Sequence, residues 1–173
     1  MSFPVTIDIE AAVLGAVILE PSALSEAAAE LRAEIFYKDA HRLICEALVT
    51  LYREGKQVDL LTVTEQLRRM GQLENAGGAF YVTELTDHVA SAAHLPAHLK
   101  IIQEKHLMRE MIIIASEIQK NAYDDSKDVF ELLDTTQLSM INLMAGISSQ
   151  QAISIKESTM EVFKEMATNM AVS

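Results

Sequence analysis

Apolar residues recur along this chain at helical spacing almost from end to end. Ile9 to Leu19 is Ala, Val, Leu and Ile nearly all the way round, the mark of a helix buried on every side. Gly15 within it permits a neighbour to approach closely. Pro21-Ser22 starts a second element, with Leu24 and Leu31 on its apolar side. Ile35-Phe36-Tyr37 reads as a short turn that plugs aromatic rings into the core. Asp39 is the expected cap of a helix through Arg53, with Leu43, Ile44, Ala47, Leu48 and Leu51 facing inward and Gly55 ending it. Asp59, or the box Thr62-Val63-Thr64-Glu65, opens another helix that stops at Gly71. Gly77-Gly78 breaks the chain before Ala79 to Asp87. Phe80-Tyr81-Val82-Thr83 has strand propensity, but no second strand is available to pair with it, so helix is expected there too.

The longest periodic stretch runs from Pro96 to about Tyr123, with Leu99, Ile102, Leu107, Met111, Ile114 and Ile118 roughly along one side. Asp124 to Asp128 is a polar turn, and Val129 to Met144 returns as a helix carrying Leu132, Leu133, Leu138 and Ile141. Two long helices joined so briefly must be antiparallel neighbours, a helical hairpin. A small, polar, linker-like stretch follows, and Ser154 to Met170 then reads as an amphipathic helix with Ile155, Val162, Phe163, Met166 and Met170 on one face. The expected organisation is all-α: a head over 1–95, a hairpin over 96–145, a linker over 146–153 and a last helix over 154–173. That last apolar stripe calls for a surface on another copy or another domain.

Composition supports a folded, aliphatic core: half the residues are apolar, Met is frequent (9), Trp is absent and aromatics make up 5%. Net charge is −11, which repels phosphate and disfavours autonomous binding to nucleic acid. The densest basic cluster is Arg68-Arg69. One cysteine, Cys45, cannot make an internal disulfide and fits a reducing, intracellular compartment. The apolar run Met111 to Ala115 is too short to span a bilayer.

Catalytic chemistry finds little footing. Gly55-Lys56-Gln57 is not a phosphate loop, because Thr50 and Gln57 stand where a Gly and a Ser or Thr are needed. Gly77-Gly78 lacks the third glycine of a dinucleotide turn. His94 and His98 are four residues apart, with His106 eight further on, but Pro96 places His94 outside the helix and no carboxylate occupies the metalloprotease position. His41 and Cys45, one turn apart, read as core residues rather than base and nucleophile. Asp124-x-Ser126-x-Asp128 starts like a calcium loop, yet Val129 and Thr135 replace its glycine and closing glutamate, which leaves a turn with Asp128 capping the return helix.

Several segments, in order, resemble one family. Ile9-Glu10-Ala11-Ala12-Val13-Leu14-Gly15-Ala16-Val17-Ile18-Leu19 is similar to the opening helix of the N-terminal domain of DnaB-type bacterial replicative helicases. The similarity continues through Phe36-Tyr37, Ala40-His41-Arg42-Leu43-Ile44, the stretch Gly55 to Val63, Gly71-Gln72-Leu73 and Gly77-Gly78-Ala79-Phe80-Tyr81. Val89 to His94 and Ala122-Tyr123-Asp124 complete it.

The resemblance implies a non-catalytic collar. In the family such domains pair through their hairpins, assemble as a trimer of dimers, and sit above a RecA-like motor ring that binds ATP and Mg. No cofactor is then expected in this stretch, which ends near the linker helix. The implied partners are a second copy, the C-terminal domain of primase and a helicase loader, in the bacterial cytoplasm, with no strong direct DNA binding and no membrane. The implied self-association residues are Leu107, Met111, Ile114, Ile118, Leu138 and Ile141. Tyr123, Asp124, Asp125 and Asp128 are nominated for primase. Ile155, Val162, Phe163, Met166 and Met170 would dock on a neighbouring motor domain. The alternatives are a free-standing all-α adaptor, such as a loader or regulator, and a small metal-dependent enzyme using His94 and His98.

Overall fold

Beyond Asp8 in its first turn the first helix has no polar side to offer water, and the rest of the head is built around it. In a computed structural model, which describes residues 3–87 and 92–146, α1 (Ile7–Leu19) buries every residue from Val13 to Ile18. It packs against α2 (Pro21–Ala27), α3 (Asp39–Arg53) and α5 (Gly78–Asp87), while α4 (Leu60–Arg69) lies against α3 and α5. All regular elements among the described residues are helical, and none of the helices is long and apolar enough to cross a membrane. The core is aliphatic, with Leu14, Leu24, Ile44, Leu48, Leu67 and Leu85 among its fully buried side chains.

Local chemistry sets the helix ends. Asp59 is the N-cap of α4: its carboxylate accepts from the Thr62 N–H at 2.8 Å, and the Thr62 hydroxyl accepts from the Asp59 N–H at 2.9 Å. Gly71 closes the same helix at φ +68°, with the Gln72 N–H donating back to the Leu67 carbonyl at 2.9 Å. Two expectations need correction. Asp39 is not a cap but the first helical residue of α3; the extended residue before it is Lys38, and Asp39 instead pairs with Arg42 at 3.1 Å. The short 3-10 turn Ala33–Ile35 places Ile35 in the core and, of the two aromatic rings that follow, only Phe36; Tyr37 is exposed and meets the Arg109 guanidinium 5.6 Å from its ring centroid.

Helical spacing overrides the strand propensity of Phe80 to Thr83: as a helix α5 buries Val82 and Leu85 together on α1. The helix α6 (Leu95–Ala122) commits Leu95, Leu99 and Ile102 to the head. Arg109 is buried with them, donating to the carbonyls of Ile35 (2.7 Å) and Pro4 (3.2 Å). His94 lies in the 3-10 turn before α6, outside the helix as expected. The chain packs as two compact units, one through Arg109 and one from Glu110 on, so the boundary falls inside α6. The second unit, as far as it is described, comprises the rest of α6, a turn, and α7 over residues 129–146. The linker beyond Gly146 and the stripe Ile155, Val162, Phe163, Met166 and Met170 lie outside the described residues.

Candidate protein-interaction surface

The second unit has two apolar faces where a two-helix hairpin can bury only one. Its turn follows from the sequence: the Asp124 carboxylate accepts from the Ser126 N–H (3.0 Å) and hydroxyl (2.6 Å), and Asp128 caps α7 by accepting from the Phe130 and Glu131 N–H groups at 2.8 and 3.1 Å. The Ser126 side-chain and backbone donors hold the Asp124 carboxyl below the usual aspartate range, with Lys127 and Lys120 adding to the shift. The two helices then meet along a groove lined by Ile114, Ile118 and Asn121 from α6 and Leu132, Thr136 and Ser139 from α7. These six are partly buried, as is Leu143 on the same side of α7.

Outside that groove, Val129, Leu133, Met140 and Met144 recur at helical spacing along α7, with Phe130 and Ile141 beside them. All six are exposed, Phe130 at 73%. On α6, Met111, Ile112 and Ile113 are exposed as well. No described residue from Glu110 to Gly146 is buried. Such an exposed apolar strip on a folded chain makes this face the candidate interaction surface.

The self-association nominees therefore divide. Ile114 and Ile118 face the intra-hairpin groove, Leu107 is half-buried, and Met111, Leu138 and Ile141 are open to solvent. Sequence spacing does not tell an inner stripe from an outer one when both are apolar, and Phe130, Leu133 and Met144, exposed on the outer one, were not among the nominees. Tyr123, 83% exposed, stands with Asp124, Asp125 and Asp128 on the turn.

The head contains a polar cluster that periodicity alone does not disclose. Glu10 (1% exposed) and His41 (fully buried) meet at 2.8 Å through His41 Nδ1. His41 Nε2 lies 2.7 Å from the Tyr81 hydroxyl, which accepts from Lys38 Nζ, also at 2.7 Å. Glu10 further accepts from the N–H groups of Tyr37 (2.7 Å) and Lys38 (3.3 Å). One assignment satisfies all partners: Nδ1–H donates to Glu10 and the Tyr81 O–H donates to Nε2. Gly77, at φ +94°, lets Tyr81 lie against its backbone; an added Cβ would stand 2.8 Å from the Tyr81 side chain. The cluster ties α1, α3 and α5 together, and it offers no open position for a substrate. A carboxylate set among the apolar residues from Ile9 to Leu19 was the available signal for Glu10.

The other candidates resolve simply. Cys45 is fully buried, and burial, with the charges of Glu34 and Glu46 adding, pushes its thiol well above the usual range. Gly55, at φ +65°, ends α3, with the Lys56 N–H donating to the Leu51 carbonyl at 3.0 Å. His94 and His98 have ring centroids 6.2 Å apart, and among the described residues no group of three or more His, Cys, Asp or Glu is arranged to hold a metal.

Residues 2–104 match the family model of the DnaB-like helicase N-terminal domain. The chain is 42% identical to the replicative DNA helicase DnaB of Rhodothermus marinus, over 94% of this chain and 17% of that protein. It is 40% identical to DnaB of Geobacillus stearothermophilus, over 76% and 29% respectively. The chain thus spans less than a third of the length of either relative. A crystal structure of the N-terminal domain of DnaB helicase from Mycobacterium tuberculosis superposes with a TM-score of 0.77 at 30% identity, covering 82% of this chain and 99% of that one. A DnaB-like replicative helicase described with its interactions with primase gives 0.63 at 30% identity, over 79% and 30%. Sequence and fold agree over the head and into the long helix that leaves it, and the chain belongs to the DnaB-like helicase N-terminal domain family.

Proposed function

We propose that this chain is the oligomerisation and partner-docking collar of a bacterial replicative DNA helicase, with ATP hydrolysis and unwinding carried by a motor domain of the full-length protein. The observation that carries this reading is the outward strip of α7, whose six apolar side chains have no cover within the second unit. An isologous pairing of two such strips would bury Phe130, Leu133, Ile141 and Met144 against their equivalents. Primase is the proposed second partner, supported by the relative described with it, and the turn at Tyr123 to Asp128 is its proposed contact. A loader acting on the ring, a cytoplasmic replication complex, and docking of Ile155, Val162, Phe163, Met166 and Met170 on a neighbouring motor domain belong to the same proposal.

Light scattering of the chain, followed by titration with the cognate primase C-terminal domain, tests it. A concentration-dependent oligomer that binds primase in a salt-sensitive manner supports the reading. A chain that stays monomeric at high micromolar concentration and binds no primase at low salt overturns it.

A further inference from the structure

Two of the six side chains on the outer strip of α7 are thioethers. Met140 and Met144 stand one turn apart, 39% and 63% exposed, in the company of Val129, Phe130, Leu133 and Ile141. Methionine fills an apolar surface much as leucine does, but its sulfur, unlike the hydrocarbon of its neighbours, is open to a mild oxidant. In the separate chain both side chains can be reached from solvent. Met70 of the head, by contrast, is partly buried and packs against the core.

The chemistry needs no catalytic side chain. The thioether sulfur attacks the terminal oxygen of a hydroperoxide, and the S–O bond forms as the O–O bond breaks. The proton on the transferred oxygen passes to the departing alkoxide or hydroxide, which leaves as alcohol or water. Sulfur gives up two electrons and the peroxide takes them. The product carries a polar S=O group whose oxygen is a strong acceptor. Water satisfies that oxygen on a separate chain. In a paired strip it is buried among Val129, Phe130, Leu133 and Ile141, whose side chains carry no donor, so the modification opposes pairing. An isologous contact doubles the effect, because each modified strip meets another.

We propose that Met140 and Met144 form an oxidation-sensitive site on the pairing surface: their conversion to sulfoxides by a hydroperoxide separates two copies of the chain, and enzymatic reduction of the sulfoxides restores the pair. The inference rests on the pairing of α7 strips proposed above and adds what governs it.

The test treats the whole chain with hydrogen peroxide at low and high protein concentration, with N-acetylmethionine in the same tube as a rate standard. Peptide mass spectrometry follows each methionine, and light scattering measures association before and after. Relative to the standard, Met140 and Met144 should oxidise several-fold more slowly at high concentration, where pairing covers them. The oxidised chain should associate roughly tenfold more weakly or worse, stay helical by circular dichroism, and recover on treatment with methionine sulfoxide reductases for both sulfoxide epimers. A double variant, Met140→Leu with Met144→Leu, keeps the strip apolar and retains the other seven of the nine methionines, and should hold its association through the same treatment. Oxidation rates indifferent to concentration, an oxidised chain that pairs as before, or a double variant that loses association as the wild type does would each overturn the inference and leave pairing standing. An untreated chain that is monomeric at every concentration removes the pairing itself, and this inference with it.

Discussion

Removing the Glu10 carboxylate strikes the head where three elements converge. It accepts from His41 Nδ1 at 2.8 Å and from the backbone N–H groups of Tyr37 and Lys38. Glu10→Ala strands all three donors, the His41 one fully buried and the two backbone ones partly so. Each stranded donor costs about 1–3 kcal/mol, and breaking a buried charged or polar pair costs about 3–5 kcal/mol; the two descriptions overlap and are not summed. A loss of about 4 kcal/mol is expected, which lowers Tm by roughly 8–16 °C in a chain of this size. That is a large share of an ordinary domain's stability of about 5–15 kcal/mol. Glu10→Gln keeps one carbonyl acceptor and costs about half as much. Urea unfolding followed by circular dichroism, at matched protein concentration because self-association adds apparent stability, measures both. The decisive quantity is the coupling in a Glu10→Ala, His41→Ala cycle, expected at about 2 kcal/mol. A coupling below about 0.5 kcal/mol, with Glu10→Ala costing under about 1 kcal/mol, would show that the cluster does not hold the head together.

Other expectations follow from the same geometry. Leu133→Asp and Ile141→Asp should yield helical monomers by light scattering, since a charge in a paired apolar strip costs several kcal/mol; oligomers that survive both would exclude α7 as the contact. Ile118→Asp, facing the groove between α6 and α7, should instead reduce helicity and thermal stability, and a fully helical variant would contradict that placement. Gly77→Ala forces an L-residue to φ +94° and a Cβ into Tyr81, so a loss of about 2 kcal/mol is expected in the same urea assay, and a neutral result would mean the turn relaxes freely. The Asp124 carboxyl should titrate by NMR below a free aspartate, near 3.9, and move up in Ser126→Ala. Because the folded value is the lower one, the turn's contribution is present above the unfolded pKa and fades as pH falls through the folded one; an unchanged midpoint in Ser126→Ala would remove Ser126 as the cause.

What was legible in the sequence is what periodicity and turn chemistry encode. The all-apolar α1, the Asp59 cap, the Gly55 and Gly71 stops and the hairpin turn were all visible as spacing or residue type, because each is decided within a few residues of itself. Asp39 failed as a cap because the helix boundary depends on where Lys38 turns extended, and Glu10, twenty-eight residues earlier, contacts that Lys38 N–H. The Glu10–His41–Tyr81 cluster and the outward direction of Tyr37 are likewise long-range facts. On the interaction surface, composition announced an apolar hairpin, but only the packing of Leu132 and Ser139 against α6 separates the strip that holds the hairpin from the one left over for a partner.

The sealed thiol of Cys45 has a practical consequence for measuring that partner. It is the single cysteine of the chain, wholly enclosed and held protonated far above neutral pH, so maleimide and methanethiosulfonate reagents find nothing to attack in the native protein. The wild-type background is therefore already silent for site-directed labelling, with no cysteine-removal step to disturb the head. A nitroxide or fluorophore placed through a new thiol at Gln137, between the apolar side chains of α7, would report from that one position, and a dipolar distance between two copies would map the pairing of the strips directly.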